Sequence, residues 1–148
     1  MAKYQHQFRC EVLTPDGPAI RSDAVAVRLP LVDGSIGVLA GRSAVMGLLG
    51  AGPLVIQLKD GTEERYYVAG GFAHVRGNVA SVLAEEFMTS ADLDLEQVAG
   101  ELERARSMPA GSTQERERRR VAMARATAKM HLVPAPKAQG SDNKETLQ

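Results

Sequence analysis

The chain has 148 residues, of which 44% are apolar and only 4% aromatic. This length suits one principal domain with a small appendage, and the apolar share is enough for an aliphatic core. Lysine and arginine total 18 against 18 acidic residues, which argues against a protein steered as a whole towards a polyanion. The few aromatic rings also leave little surface for stacking on nucleic-acid bases.

The cellular compartment is predicted from what the sequence lacks. No apolar run approaches the roughly 20 residues that span a bilayer. The first residues, MAKYQHQF, lack the apolar core of a signal peptide. Cys10 is the single cysteine, so no disulfide framework is expected, and a reducing cytosol is the predicted environment.

The part of the chain up to about Met88 predicts short β-strands that alternate with turns. Apolar and polar residues alternate in the segments 8–12 and 25–29, residues 36–39 are predicted to form a short strand, and the segments 54–58, 65–68, 72–75 and 79–83 are rich in β-formers. Turn signals separate them at Pro15-Asp16-Gly17, Asp33-Gly34, Asp60-Gly61 and Gly77-Asn78. A strand and turn every 8–12 residues or so is typical of an all-β sandwich.

Two glycine-rich segments interrupt this pattern. Gly70-Gly71 supplies backbone freedom that predicts a sharp strand corner or a bulge. The segment 41–52 is predicted to be a loop with short irregular strands.

After about Met88 the periodicity becomes helical. The first helix is predicted to present an apolar face made of Leu95, Val98, Ala99, Leu102 and Ala105. Ser112 and Glu115 form a capping-box sequence for a second helix that runs to about Leu132. Its predicted apolar face holds Val121, Ala124, Ala128 and Met130 or His131. The short break at Pro109 and Gly111 predicts an antiparallel helical hairpin.

The predicted fold class is therefore α+β, with an N-terminal antiparallel β-sandwich in residues 1–88 and a two-helix regulatory hairpin in residues 89–132. Residues 133–148, which are polar and rich in proline, are predicted to form a disordered tail. The facing helical stripes are mostly alanine, which buries little area, and Gly100 lies in mid-helix. We therefore predict that the hairpin docks weakly and that the sandwich is stable without it.

The sequence predicts neither catalysis nor metal binding. His6, His74 and His131 have no ligand spacing among themselves or with Cys10. Neither a phosphate-binding P-loop nor a G-x-S-x-G nucleophile elbow occurs. The acidic pair Glu85-Glu86 could serve acid–base chemistry, but such a pair is more often solvated.

The second helix carries the strongest local charge of the chain. Residues 115–131 contain six cations and two acids, Glu115 and Glu117, so their net charge is +4. The cations are Arg116, Arg118, Arg119, Arg120, Arg125 and Lys129. One interpretation is a solvated helix face. The other is a cationic rod that binds an acidic protein cavity, a phosphate or nucleic acid. The five acids of residues 92–103 could also neutralise it within a folded hairpin.

Several segments, taken in order, resemble one protein family. They are TPDG at residues 14–17, LPLVDGSIGVLAG at 29–41, AGGFAHVRGNVASVLAE at 69–85, and the acidic and then basic helical pair. Over about residues 8–132 the chain resembles the epsilon subunit of F-type ATP synthases, which is called delta in mitochondria. The resemblance implies the same fold, a β-sandwich followed by two helices.

The resemblance also implies a function, a location and partners. Such subunits join the gamma subunit to the ring of c subunits in the rotor, peripherally at the cytoplasmic face of the bacterial cell membrane. They are not catalytic, bind no nucleic acid and need no cofactor. The implied contacts with the c-ring and gamma lie in the loops that contain Asp33, Gly34, Ser35, Ile36 and Arg42. When the hairpin extends, its basic helix meets acidic segments of the alpha/beta head and blocks ATP hydrolysis.

The sequence departs from the family pattern at three places. Ser35 replaces an acid in the loop motif, and Arg42-Ser43-Ala44 replaces the usual His-Ala-Pro. The candidates for a regulatory ATP site are Glu85, Leu93 and Asp94. Gln97-Val98 replaces the Arg-Ala of the ATP motif and removes a guanidinium fork, so weak or absent ATP binding is expected.

Two other classes of protein remain as alternatives. One is a free-standing β-sandwich module whose basic helix grips nucleic acid or an acidic protein. The other is a small β-sandwich enzyme, which the lack of any catalytic cluster disfavours.

Overall fold

The computed structural model describes residues 6–41 and 44–134. Within them eight strands are followed by a 3-10 turn and two helices. The strands are β1 Phe8–Thr14, β2 Gly17–Ala24, β3 Ala26–Leu31, β4 Gly34–Leu39, β5 Val45–Leu48, β6 Gly52–Gln57, β7 Glu63–Arg76 and β8 Val79–Thr89. The 3-10 turn is Ser90–Asp92, and the helices are α1 Leu95–Arg106 and α2 Thr113–Leu132.

The strands hydrogen-bond in the order β2-β1-β8-β7-β6-β3-β4, and β5 pairs with β7. The predicted α+β class and β-sandwich are thereby confirmed. The pairing is antiparallel with one exception, because β1 and β8 run parallel. No short hairpin links these two strands, since six others lie between them in sequence, and a parallel pair needs such a long connection.

Strand β7 changes partners in its middle. Residues 63–68 pair with β6, and residues 72–75 pair with β5. Gly70 and Gly71 lie between these halves with φ angles of +73° and +94°. The register with β8 is the same on both sides of the two glycines, so the predicted corner is present and the alternative of a bulge is wrong.

The core of the sandwich is aliphatic, as the composition predicts. Its most deeply buried side chains come from six strands: Val12, Val27, Leu29, Val38, Leu54, Ile56, Val68 and Val82. Cys10 is part of this core, and burial raises the pKa of its thiol to about 12. The thiol therefore stays protonated and unreactive at neutral pH.

The two helices form the predicted antiparallel hairpin, in which Glu101 of α1 meets Lys129 of α2. Asp94 caps α1 by accepting a hydrogen bond from the Gln97 N–H at 3.2 Å. Ser112 caps α2 in the same way, because its hydroxyl oxygen accepts a hydrogen bond from the Glu115 N–H at 3.1 Å. These caps fix where each helix begins.

The predicted apolar faces are partly wrong. Ala124 is exposed, and Leu95 is 50% exposed. The residues of α2 that are buried all lie in its second half: Ala126, Ala128, Lys129 and Leu132. Only this half of α2 packs towards the sheet, and the stem of a lysine covers part of the contact, which a search for apolar periodicity does not detect.

The hairpin rests on a cluster that is separate from the sandwich core. Tyr67 and Ala69 on β7 pack with four residues of the helical part, namely Leu93, Val98, Ala128 and Leu132. Two of these six side chains are alanines, and Ala51, Met88, Met130 and Val133 pack against the cluster at its edge. Weak docking remains a prediction.

Candidate functional site

The turn between β3 and β4 is the predicted contact with the rotor. Asp33, Gly34 and Ser35 are exposed there, and Gly34 has a φ of +128° that favours glycine. Ile36 is partly buried against the sandwich core, so it supports the turn from within. Arg42, the fifth predicted contact residue, lies outside the described residues.

Beside this turn the sandwich exposes a patch of large apolar side chains. The apolar patch consists of Val32, Met46, Leu48, Phe72 and Leu83, with exposed fractions of 59%, 71%, 63%, 42% and 37%. Leu48 lies opposite Phe72, which lies opposite Leu83, so these three form a continuous row across β5, β7 and β8. The Val32 N–H donates to the Leu48 carbonyl oxygen at 2.9 Å and joins the turn to this row.

Adjoining exposed apolar side chains are typical of surfaces that bind a partner. Sequence reasoning missed this patch. A signal was available in β7 and β8, where Phe72 and Leu83 alternate with the core residues Ala73 and Val82 and so must face away from the core. The β5 part lies in the segment 41–52, which is predicted to be a loop with short irregular strands.

The six cations of α2 do not form one face. Arg116, Arg118 and Arg120 are exposed in the first half of the helix, and Arg119 is partly buried. Arg120 holds Glu117 through two hydrogen bonds, and this pairing lowers the pKa of that carboxyl. Three of the four arginines in the first half of α2 are therefore exposed, whereas the Nε of Arg119 is buried.

The other two cations, Arg125 and Lys129, lie towards the sandwich. We call the cluster that they form with Glu85 and Glu86 of β8 the clasp. Arg125 contacts Glu86 at 2.5 Å and Glu85 at 3.4 Å. Lys129 contacts Glu101 at 3.0 Å and Glu86 at 3.6 Å. The expectation of a solvated acidic pair is thus wrong for Glu86, because folding of the hairpin brings two cations onto it.

Tyr67 of β7 lies beneath the clasp. Its ring is fully buried, and the Lys129 ammonium lies 5.3 Å from the ring centroid, within reach of a cation–π interaction. Its hydroxyl has no hydrogen-bond partner within the described part of the chain. Burial is the main cause that raises the pKa of this hydroxyl, and the nearby Glu86 carboxylate raises it further. The hydroxyl therefore stays neutral.

The three candidates for ATP binding lie in different surroundings. Leu93 is buried in the hairpin cluster, Asp94 caps α1, and Glu85 contacts Arg125. A cavity of about 320 Å³ between the helices and β8 includes none of the three. The charged residues that line it are Glu86, Glu101, Arg104, Arg125 and Lys129.

Two further observations concern the described residues as a set. Residues 6–41 and 44–134 hold no group of three or more His, Cys, Asp or Glu side chains that could bind a metal ion. The same ranges contain no helix long and apolar enough to cross a membrane.

Within residues 6–41 and 44–134, a β-sandwich carries a separately packed two-helix hairpin and an exposed apolar patch, an arrangement typical of a protein-binding subunit. Residues 7–90 match the family model described as ATP synthase, Delta/Epsilon chain, beta-sandwich domain. The chain belongs to this family of ATP synthase delta/epsilon chains. The resemblance seen in the sequence is thereby confirmed, and with it the interpretation as an ATP synthase subunit.

Individual relatives agree with this assignment. The ATP synthase epsilon chain of Rhodopirellula baltica is 35% identical over 123 residues, which cover 83% of this chain and 95% of the relative. That of Shouchella clausii is 34% identical over 125 residues, which cover 84% and 93%.

Solved structures share the fold. A chain of the Euglena gracilis mitochondrial ATP synthase, solved as OSCP/F1/c-ring, superposes with a TM-score of 0.77 at 23% identity and covers 89% of this chain and 84% of its own length. A chain of the Tetrahymena thermophila central stalk and c-ring gives 0.68 at 12% identity, covering 89% and 100%.

Proposed function

We propose that this chain is a non-catalytic subunit of the central stalk of an F-type ATP synthase. Its sandwich joins the gamma subunit to the c-ring, so that rotation driven by proton flow reaches the catalytic alpha/beta head. The observation that carries this proposal is the apolar patch, which lies directly beside the exposed β3–β4 turn. The two features offer a rigid apolar anchor and a polar loop on one region of the sandwich.

Substitution within the patch tests the proposed docking. Leu48→Glu and Phe72→Glu should each weaken binding of purified gamma at least about 100-fold, because a carboxylate would be buried where an apolar anchor packs. Isothermal titration measures the affinity, and the thermal midpoint should stay unchanged since both side chains are exposed. Leu95→Glu is the matched control, an exposed leucine on α1. If Leu48→Glu and Phe72→Glu bind gamma as tightly as the Leu95→Glu control does, the proposed binding surface is wrong.

The hairpin is proposed to inhibit ATP hydrolysis when it extends from the sandwich towards the head. Two observations support this. The first half of α2 already presents Arg116, Arg118 and Arg120 to solvent, and the hairpin packs on its own small cluster apart from the sandwich core. A cationic helix entering a partly desolvated acidic cavity gains more than it does in water.

Regulatory binding of ATP to the hairpin is proposed to be weak or absent. Asp94 is used as a helix cap, Leu93 is buried, and Arg125 and Lys129 already contact carboxylates. Titration of the chain with ATP should give no heat of binding at micromolar concentrations, and a micromolar affinity would contradict this proposal.

The proposed location is peripheral, at the cytoplasmic face of a bacterial cell membrane. The bacterial origin of the relatives that share most of this chain supports it. The association would be through the complex, since the apolar patch and the β3–β4 turn offer protein-binding surfaces.

A further inference from the structure

The docked hairpin is held to the sandwich by few groups. Within the described residues, the ion pairs between them are those of the clasp, in which Glu85 and Glu86 of β8 meet Arg125 and Lys129 of α2, and Lys129 also lies over the Tyr67 ring of β7. Glu101 also contacts Lys129, but it belongs to α1 and moves with the hairpin. In the part of the chain that the structure describes, Glu86 is therefore the one sandwich carboxylate that contacts both cations.

Burial makes these contacts different from an exposed ion pair. The Lys129 side chain is 11% exposed, and those of Glu86 and Arg125 are 30% and 34% exposed. An exposed pair contributes almost nothing, whereas a largely buried cation that loses one of its two carboxylate partners keeps its desolvation cost with less compensation. Glu85, at 63% exposure, adds less.

We infer that Glu86 is the positioning residue that keeps the hairpin docked, because it engages the two cations that α2 can use for an acidic partner only after release. This inference rests on the proposed regulatory function of the hairpin. In the docked state the Glu86 carboxylate forms ion pairs with Arg125 and Lys129. An acidic surface on a partner must therefore compete with Glu86 for these two cations. Release of the hairpin is then an exchange of one set of carboxylates for another.

A glycine in β7 leaves the space in which Arg125 contacts β8. A side chain at Gly70 would overlap the Glu85 carboxylate and come within 3.2 Å of the Arg125 guanidinium. Glycine at this position therefore leaves room for the arginine to lie against β8. The corner that lets β7 change partners also makes space for the clasp.

The test is the population of released hairpin in the full chain. Spin labels at Ala124→Cys and Arg76→Cys, two exposed positions on α2 and β7, report the separation by electron spin resonance, and buried Cys10 stays unlabelled. Glu86→Gln should raise the released population at least tenfold. Glu117→Gln is the matched control, because the ion pair of Glu117 is with Arg120 in the same helix and does not join the hairpin to the sandwich.

A second variant separates the clasp from a general effect of charge. Adding Arg125→Gln to Glu86→Gln should raise the released population by less than the product of the two single effects, because both remove the same contact. Equal populations in Glu86→Gln and Glu117→Gln, or fully independent effects of Glu86 and Arg125, would overturn the inference. Release by Glu86→Gln with unchanged ATP hydrolysis in the assembled complex would uphold the clasp and refute the inhibitory function.

Discussion

Replacing Gly71 with alanine should lower the free energy of unfolding of the sandwich by about 3 kcal/mol or more. Gly71 has a φ of +94°, where a residue with a side chain is strained. A methyl group there would also overlap the Leu83 carbonyl oxygen of β8. Because that oxygen belongs to the backbone, β7 and β8 must separate at the point where β7 changes partners.

Gly61 provides the matched control for this variant. Its φ is +91°, nearly the same, but a methyl group there would have no atom within 4 Å. Gly61→Ala should therefore cost only the backbone strain, about 1 kcal/mol. Urea denaturation of both variants measures the difference, and equal losses would show that the overlap with β8 contributes nothing.

Ending the chain after Thr89 should leave a folded sandwich that still assembles and supports ATP synthesis, with ATP hydrolysis raised roughly five-fold or more. The sandwich core is built without the helices, since the described residues of its cluster run from Phe8 to Phe87. The truncation removes the clasp cations and the exposed arginines together. Hydrolysis by membranes that carry the truncated subunit, compared with membranes that carry the full chain, measures the effect.

A milder variant shows whether charge is the cause. Replacing Arg116, Arg118 and Arg120 with glutamine keeps the hairpin and its clasp but removes the exposed cations, and it should raise hydrolysis in the same direction. If neither variant changes hydrolysis, the helices are structural in this protein. If the truncated chain fails to assemble, the sandwich is not the independent docking unit described above.

The alternation of side chains was sufficient to predict the sandwich, because β-strands with one buried face carry a period of two. The corner at Gly70 and Gly71 was also predictable, since few residues other than glycine adopt such φ angles. The parallel pairing of β1 with β8 was not, because no local signal records which distant strands meet. The same limit applies to the β5 part of the apolar patch, because Met46 and Leu48 join Phe72 and Leu83 only when β5 lies beside β7.

The helical part shows a different limit. Periodicity located both helices and their caps, but it assigned the buried face of α2 to apolar residues alone. Lys129 is buried because two carboxylates and an aromatic ring surround it, and these groups come from β8, α1 and β7. A charged residue can be placed in such an environment only after the fold is known.

Co-purification from membranes tests the central claim of a rotor subunit most directly. Tagged full-length chain, isolated in mild detergent from the organism that makes it, should bring down gamma, the c-ring and the alpha and beta subunits in fixed proportion. The same preparation with Phe72→Glu should lose these partners. Recovery of the tagged chain alone, or with ribosomes or nucleic acid in place of these subunits, would contradict the account.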